Sequence, residues 1–436
     1  MAEDLRKSRQ MVGGYEKNEH TQSKQPKKSK QMVAVDYVLD NYEGSLRFDD
    51  VAMKAQIFQL QDINDNKGYW KYVDNKDISD MVIECNRDTC CNITAKEIQT
   101  VLYSSYIPHI HPLREYIKGL EPWNGYDWIG RVAEQVTLKD PSRNELWQKC
   151  FKKWFVAMVA SWMNDDVVNH TVLVLIGEQG CGKTTWLEKL LPPEIRQYGC
   201  KMASFGDMNK DQRLRLATCA MLNLDELEAM TNREMNVIKS LITTAEVTER
   251  RAYRWDDERF VRMASFCGST NNRKFLSDPT GTRRWLPFEV AYIQNPHNRD
   301  PRFEEIIYKG MYAQAYALAN DQSFMYWFEK DDIAELEKHN SEYRQLEAEE
   351  ELLMLLYDIP IDGKGVCRTT TQILERLVNY GNIKKPMHVS RLGQIISKHG
   401  FTKKRVGKNK VEHWVVYERP VEEIDNVQKL GIHETE

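Results

Sequence analysis

The sequence predicts an α/β protein built around a nucleotide-binding parallel sheet, with a smaller mixed region before it and a basic tail after it. Three observations predict this. The run Gly177-Glu178-Gln179-Gly180-Cys181-Gly182-Lys183-Thr184-Thr185 has the G-x-x-x-x-G-K-[ST] pattern and follows the apolar stretch Val172–Ile176. Residues 171–290 alternate strand-like and helix-like stretches, as a parallel sheet with crossover helices requires. A third apolar stretch, Cys219–Leu224, ends in the acids Asp225 and Glu226, and parallel sheets hold ligands beyond the carboxyl ends of their strands.

The phosphate chemistry follows from the residue types. Glycines let backbone N–H groups turn inward around a β-phosphate, and the start of the following helix adds positive partial charge. Lys183 reaches the β- and γ-phosphates, and the Thr184 hydroxyl ligates Mg²⁺, so ATP and Mg²⁺ are the expected ligands. Asp225 is the expected second magnesium-side oxygen, acting through water, and Glu226 the residue that orients or deprotonates the attacking water. The strand Met263–Ser269 leads into Thr270, Asn271 and Asn272, and the amide of Asn271 suits a contact to both the γ-phosphate and the lytic water. Arg283 and Arg284 then stand side by side on a Gly-containing loop, where either can serve as an arginine finger or as a structural ion-pair partner.

At 436 residues the chain has room for about three units of ~100–200 residues each. No apolar run approaches the ~18–20 residues of a membrane span and the N-terminus lacks the apolar core of a secretory signal, so a cytoplasmic protein without membrane contact is expected. Nine cysteines, an odd count, are expected to be reduced thiols, with Cys181, Cys200, Cys219 and Cys267 in or beside core elements. Cys85, Cys90 and Cys91, with His109 and His111 nearby, match no common zinc spacing. The formal charge of −4 conceals an asymmetry: residues 321–363 carry 13 acids against 3 bases, and residues 364–419 carry 13 bases against 3 acids.

Along the chain, residues 1–31 are polar and lysine-rich and read as a disordered basic tail. Residues 32–107 read as a mixed α/β unit, with strands at Ser45–Phe48 and Gln56–Leu60 and a helix over Ile93–Tyr106 capped by Asn92. Its role is not legible. A helical collar is expected over 108–165, with helical spacing from Ile129 to Trp162, then the nucleotide-binding core over 166–300, with strands at Thr171–Ile176, Met202–Phe205, Cys219–Leu224 and Met263–Ser269. Residues 301–363 read as an acidic helical segment. Residues 364–420 then give helix, helix and hairpin (Thr370–Tyr380, His388–His399, Lys403–Val406 with Glu412–Tyr417), the outline of a winged helix, and 421–436 a flexible tail.

Two stretches suit nucleic acid. The segment Glu246–Arg262 reads as a basic β-hairpin in which Arg250, Arg251, Tyr253 and Arg254 offer phosphate neutralisation and base stacking, against the plainer reading of a salt-laced exposed hairpin. In the tail, Lys403, Lys404, Arg405, Lys408 and Lys410 cluster on the second hairpin, while Trp414 and Tyr417 read as core. These cations suit either DNA phosphates or docking onto the acidic helix at Glu347–Glu351.

Together, Gly177–Thr185, Asp225-Glu226, the Lys239-to-Arg254 segment, Thr270-Asn271 and the Arg283-Arg284 loop resemble the virulence-associated protein E family of mobile genetic elements, which is similar to superfamily 3 helicases. The stretch from His111 to Asp127, with Pro122-Trp123-Asn124-Gly125, strengthens the resemblance, although Asn124 stands where that family usually has Asp. The resemblance covers residues 105–290 well and 32–104 poorly, and the tail resembles that of Bacteroides-type members. It implies an AAA-like P-loop ATPase core in a ring-shaped, hexameric homo-oligomer, with Arg283 or Arg284 completing a neighbour's site. The hairpin around Arg251–Trp255 would face the channel and move single-stranded or forked DNA during replication, with any primase a separate chain. An ATP-dependent DNA helicase is the reading this favours. A DNA-binding regulator or loader without unwinding, and an interference protein whose ring is a scaffold, are the alternatives.

Overall fold

The computed structural model describes residues 28–62, 67–202, 210–225, 227, 230–250, 257–276, 282–294, 301–361, 365–406, 411–420 and 424. The chain is mixed α/β and parts into two compact units between Gly119 and Leu120.

The first unit holds helix α1 (Lys30–Asn41), strands β1 (Leu46–Asp49), β2 (Lys54–Asp62) and β3 (Lys67–Tyr72), helices α2 (Asn75–Thr89) and α3 (Ala95–Leu102), the short strand β4 (His109–Ile110) and helix α4 (Pro112–Lys118). The sheet order is β3-β2-β1-β4, with β4 parallel to β1 and the other neighbours antiparallel. Its core packs Leu46, Phe48 and Ala55 against Val35 and Val38 of α1, Met81 of α2 and Ile98 of α3. The cap of α3 differs from the sequence expectation: Thr94 holds the N-cap position in a capping box with Glu97, because the pair at N-cap and N3 satisfies the first orphan N–H groups reciprocally. Asn92 lies outside the helix, and α3 ends at Leu102 rather than Tyr106.

The second unit opens with helix α5 (Trp128–Ala133), strand β5 (Val136–Leu138) and helix α6 (Asn144–Met163), so the continuous helical spacing expected from Ile129 to Trp162 is interrupted by a strand. Then come β6 (Val172–Ile176), α7 (Lys183–Glu188), β7 (Gly199–Met202), α8 (Lys210–Thr218), β8 (Met221–Leu224), α9 (Asn232–Thr243), the pair β9 (Glu246–Glu249) and β10 (Glu258–Val261), β11 (Ser265–Thr270) and β12 (Trp285–Ile293). The main sheet runs β5-β12-β6-β11-β8-β7, parallel throughout except for β5. Each core strand starts or ends within a few residues of its expected place; β7 ends at Met202, and residues 203–205 of the expected Met202–Phe205 strand lie outside the described residues.

Both faces of this sheet are covered, which is why β6 reads as five consecutive apolar residues, all buried. On one face Val172, Val174, Leu222, Leu224 and Phe266 meet Met235, Ile238 and Ile242 of α9. The other packing layer centres on α6, which is apolar nearly all round. Trp147 and Phe151 stack at 5.3 Å, Phe151 meets Trp186 of α7 at 5.4 Å, and Phe155 and Trp162 meet Tyr312 at 5.1 and 5.7 Å.

Strand β12 is not among the strands expected from the sequence, and Pro287 sits in its middle, where proline cannot donate to a ladder. The register shows how it is accommodated: β12 pairs with β6 from Trp285 to Glu289, whereas β5 joins only from Val290 onward. The Pro287 carbonyl is taken by His339 Nε2 at 2.7 Å.

After β12 come α10 (Pro301–Ala319), α11 (Lys330–Asn340), α12 (Ala348–Leu356), β13 (Tyr357–Asp358), β14 (Val366–Arg368), α13 (Thr370–Gly381), α14 (Val389–Lys398), β15 (Thr402–Val406) and β16 (Val411–Glu418). Strand β16 is the hub of a small antiparallel sheet, pairing with β13, β14 and β15. Leu353 and Leu356 of the acidic helix α12 belong to the same buried cluster as Ile373, Leu377, Leu392, Ile396 and Trp414, so the acidic helix and the basic tail share one core.

No described helix is long and apolar enough to cross a membrane. The described cysteines are free thiols, and among the described residues no group of three or more His, Cys, Asp or Glu is placed to hold a metal ion.

Candidate functional site

Three adjacent parallel strands, β6, β11 and β8, end together, and their carboxyl ends carry the residues singled out in the sequence. The loop from Gly177 to Gly182 leaves β6 and enters α7 at Lys183. Gly180 and Gly182 have φ of 85° and 89°, a backbone that side-chain-bearing residues rarely adopt, and open space lies where a Cβ would stand. Gly177 is fixed from β11 by its N–H donating to the Thr270 carbonyl at 3.1 Å.

Lys183 is buried, with 6% of its surface exposed, and its ammonium is spoken for. It donates to the carbonyls of Gly177 (2.7 Å) and Glu178 (2.8 Å) and to Asn271 Oδ1 (3.1 Å). Asn271 stands one residue past β11, so the amide picked out in the sequence lies against the lysine. Beside them, Thr184 Oγ1 lies 3.3 Å from Asp225 Oδ1 and 3.3 Å from Ser269 Oγ, and Ser269 Oγ donates to the same Asp225 oxygen at 2.8 Å. Gln179, Lys183, Thr184, Thr185, Asp225 and Asn271 are among the residues that line the resulting cavity of about 300 Å³. Glu178 and Cys181 sit in the loop itself, and Glu226 lies outside the described residues.

Ser269 was missed in the sequence, since a lone serine near a strand end has no spacing signature. Two residues earlier in β11, Cys267 is fully buried; burial pushes its thiol well above the ordinary range, with the nearby Asp225 adding to the shift, so it is uncharged packing.

The residues fit a magnesium nucleotide. Thr184 and Asp225 present hard oxygens within hydrogen-bond reach of each other, the donor chemistry Mg²⁺ prefers. The two positive-φ glycines face open space, which leaves room for phosphate oxygens against the backbone.

Arg283 and Arg284 stand elsewhere. They end the 3₁₀ turn Thr282–Arg284 just before β12. Trp285 pairs with Val172 at the start of β6, whereas Glu289 pairs with Ile176 at its end, next to the Gly177–Gly182 loop. At about 3.3 Å per residue, the arginines are therefore roughly 15–20 Å from the Gly177–Gly182 loop of the same chain, at the opposite, amino-terminal ends of the strands. Both line a separate cavity of about 340 Å³ with His170, Tyr326 and Trp327. The turn is held by Asn340, whose buried Nδ2 donates to the carbonyls of Thr282 (2.7 Å) and Trp285 (2.9 Å).

Residues 117–345, more than half of the chain, match the virulence-associated protein E-like domain family. The chain belongs to that family. The matched stretch takes in the phosphate loop, Asp225, Asn271 and the arginine turn, and stops before α12. Among solved structures, an A-form apo structure of the NrS-1 C-terminal region (residues 305–718 of that protein) has a TM-score of 0.46 at 12% identity, covering 89% of this chain and 100% of that one. A second apo structure of the same region gives 0.46 at 11% identity, with 90% and 100% covered, and a further A-form structure gives 0.42 at 12%, with 86% and 96% covered. No curated protein matches the sequence significantly.

Within this family member the two nucleic-acid stretches fare differently. The hairpin exists as β9 paired antiparallel with β10, and Arg250 is exposed at its rising end. Arg251, Tyr253 and Arg254 lie outside the described residues. Arg259 pairs with Glu246 and Arg213 pairs with Glu249, so the stem is salt-laced. Arg262, the last base of that segment, is not on the surface at all: it is 1% exposed and donates to the carbonyls of Ala264 (3.0 Å), Leu241 (2.9 Å), Ile242 (2.5 Å) and Asn169 (2.9 Å). It thus caps the carboxyl end of α9, where carbonyls are left without intrahelical partners. Burial lowers its guanidinium to about 9, still cationic at neutral pH. Replacing Arg262 with Met is expected to destabilise the second unit by about 3–5 kcal/mol, since several buried carbonyls lose their donor. Urea titration followed by tryptophan fluorescence measures it; an unchanged midpoint would refute the capping role.

In the tail, Lys403, Lys404 and Arg405 are exposed on β15. Lys403 pairs with Glu412 across the hairpin at 3.1 Å, and Arg405 lies 3.9 Å from the same carboxylate. Lys408 and Lys410 lie outside the described residues. Trp414 is buried and Tyr417 half-buried. Among the described residues the carboxylates of the acidic segment meet the tail helices: Glu347 pairs with Arg391, Glu349 accepts from the Met387 N–H at 2.7 Å, and Glu350 meets Arg344 and, at 2.8 Å, His399.

Proposed function

We propose that this chain is an ATP-dependent DNA translocase or helicase that serves replication of a mobile genetic element. Its second unit would be an AAA-like P-loop ATPase core followed by a winged-helix-like tail, working in a ring-shaped homo-oligomer. The observation that carries the reading is the convergence of Lys183, Thr184, Asp225, Ser269 and Asn271 at the ends of three adjacent parallel strands.

The residues divide the work. Lys183 would exchange its bonds to two carbonyls and Asn271 for phosphate oxygens, placing a preorganised donor where charge develops on them. Bound magnesium, held by Thr184 and Asp225, would neutralise charge on the phosphates. Ser269 positions Asp225 by donating to it, and Asn271, freed from Lys183, would orient the attacking water that Glu226 activates. Because the arginine turn lies at the amino-terminal ends of the strands, away from the Gly177–Gly182 loop at their carboxyl ends, Arg283 or Arg284 would act on the site of a neighbouring copy. Hydrolysis would then be coupled to movement of the β9–β10 hairpin against single-stranded or forked DNA.

The decisive assay is ATP turnover with and without single-stranded DNA, followed by strand displacement on a forked duplex. Stimulation by DNA together with displacement supports a motor. Turnover that ignores DNA sinks it and leaves the regulator or scaffold.

A further inference from the structure

The first unit has no role in the reading above, yet one face of its sheet is built in an unusual way. Side chains alternate across a strand, and α1, α2 and α3 take the face bearing Leu46, Phe48, Ala55 and Ile57. The opposite face therefore carries Arg47 and Asp49 from β1, Lys54, Gln56 and Phe58 from β2, and Trp70 and Tyr72 from β3. The register sets Arg47, Gln56 and Tyr72 in one row and Phe58 and Trp70 in the next. None of the three rings belongs to the buried cluster; each is partly exposed, and Lys54 is exposed.

A face meant only for water would carry short polar and charged residues rather than Phe, Trp and Tyr. A face meant for an apolar partner would not put a cation over its rings. Here the Arg47 guanidinium lies 4.0 Å above the Trp70 ring, Lys54 Nζ is 5.6 Å from the Tyr72 ring, and Phe58 sits 5.3 Å from Trp70. Asp49 shares the face, but its carboxylate is buried and engaged: it accepts from the N–H groups of Val51 and Ala52 (2.9 Å each), from Tyr72 OH (3.0 Å) and from Gln56 Nε2 (3.4 Å). Its charge is thus turned inward, whereas Arg47, whose Nε donates to Gln56 Oε1 at 2.7 Å, keeps its guanidinium over the Trp70 ring on the open side, and Lys54 is exposed.

We infer that this face is a second nucleic-acid site, on which a single strand lies across β1, β2 and β3. Unpaired bases stack on Phe58, Trp70 and the guanidinium plane of Arg47, and backbone phosphates meet Arg47 and Lys54. Strands about 4.8 Å apart give three rows, enough for two or three nucleotides. A flat array of rings and cations reads no base edge, so binding is tolerant of sequence. DNA and RNA share this chemistry. The inference does not depend on the ATPase reading, because it needs neither nucleotide nor Lys183.

The test uses the full chain carrying Lys183→Ala, without nucleotide, titrated into fluorescein-labelled oligo-dT and oligo-rU while anisotropy is read. Trp70→Ala is expected to weaken binding about 5- to 150-fold, the equivalent of losing one stacked base, with Trp70→Phe retaining most of the affinity. Lys54→Ala is expected to flatten the dependence of log affinity on log salt by about 0.7, one phosphate contact. A preference for dT or rU identifies which nucleic acid is the ligand. Should Trp70→Ala fail to fold, photocrosslinking of 5-bromouracil-substituted strands to the parent chain decides, with adducts expected on peptides containing Phe58, Trp70 or Tyr72. Affinity indifferent to Trp70→Ala and Lys54→Ala, or adducts confined to residues beyond Gly119, overturns the inference. A failed DNA-stimulation assay, by contrast, would leave it standing.

Discussion

Lys183→Ala is expected to lower ATP turnover by about 10²–10³-fold, comparable with removing one preorganised donor from a transition-state site. The side chain is buried among acceptors, so its loss removes the only cation seen bonding directly to the loop carbonyls among the described residues. Alanine leaves the Gly177 and Glu178 carbonyls and Asn271 without that donor, in a cavity open to solvent that water can enter. The fold should therefore persist while turnover collapses. Steady-state phosphate release beside a thermal melt separates these effects. Turnover within a few-fold of the parent would remove Lys183 from the chemistry and with it the phosphate-site reading.

Paired Arg283→Ala and Arg284→Ala substitutions are expected to cost about 10³–10⁵-fold in turnover, the range for arginine fingers. The distinctive expectation lies in a mixture. A chain with intact Lys183 but no arginines, combined with Lys183→Ala chains that keep them, should regain turnover, because one copy supplies the phosphate loop and the next the guanidinium. The basis is the register of β12 on β6, which places the turn at the opposite end of the strands from the loop. Recovery on mixing would show the site to be shared. Two inactive chains that stay inactive together would show that the arginines work within one copy or not at all. Single substitutions then tell which of the two reaches the site.

The parts of this architecture that were legible are those in which a short contiguous run dictates its own backbone. The backbone of the Gly177–Gly182 loop is such a run: an apolar strand, glycines with positive φ, then a helix start. Asp225 and Asn271 were legible because each follows an apolar strand directly. Ser269 was not, since its importance comes from a neighbour 44 residues away. Strand β12 was not legible either, since the pairing that tolerates its Pro287 depends on where β5 stops. Arg262 read as one more surface base in a charged run; only tertiary packing turns it into a helix cap. Thr94 displaced Asn92 as a cap because Glu97 stands three residues on. Charge counts could not show that α12 sends Leu353 and Leu356 into the tail's own core while Glu349 and Glu350 are buried.

The tail carries its own counterions. Read along the sequence it is a block of excess positive charge, but in space Glu347 neutralises Arg391, Glu350 meets His399, Glu412 meets Lys403, Glu418 holds Arg368 and Arg376, and Asp358 holds Arg419. Each such pair short-circuits part of the field that would otherwise draw in a polyanion. Were this tail to meet a polyanion, fewer ions would be displaced than its lysines and arginines number, and its grip would fade more gently with added salt than that of a free basic peptide of the same composition.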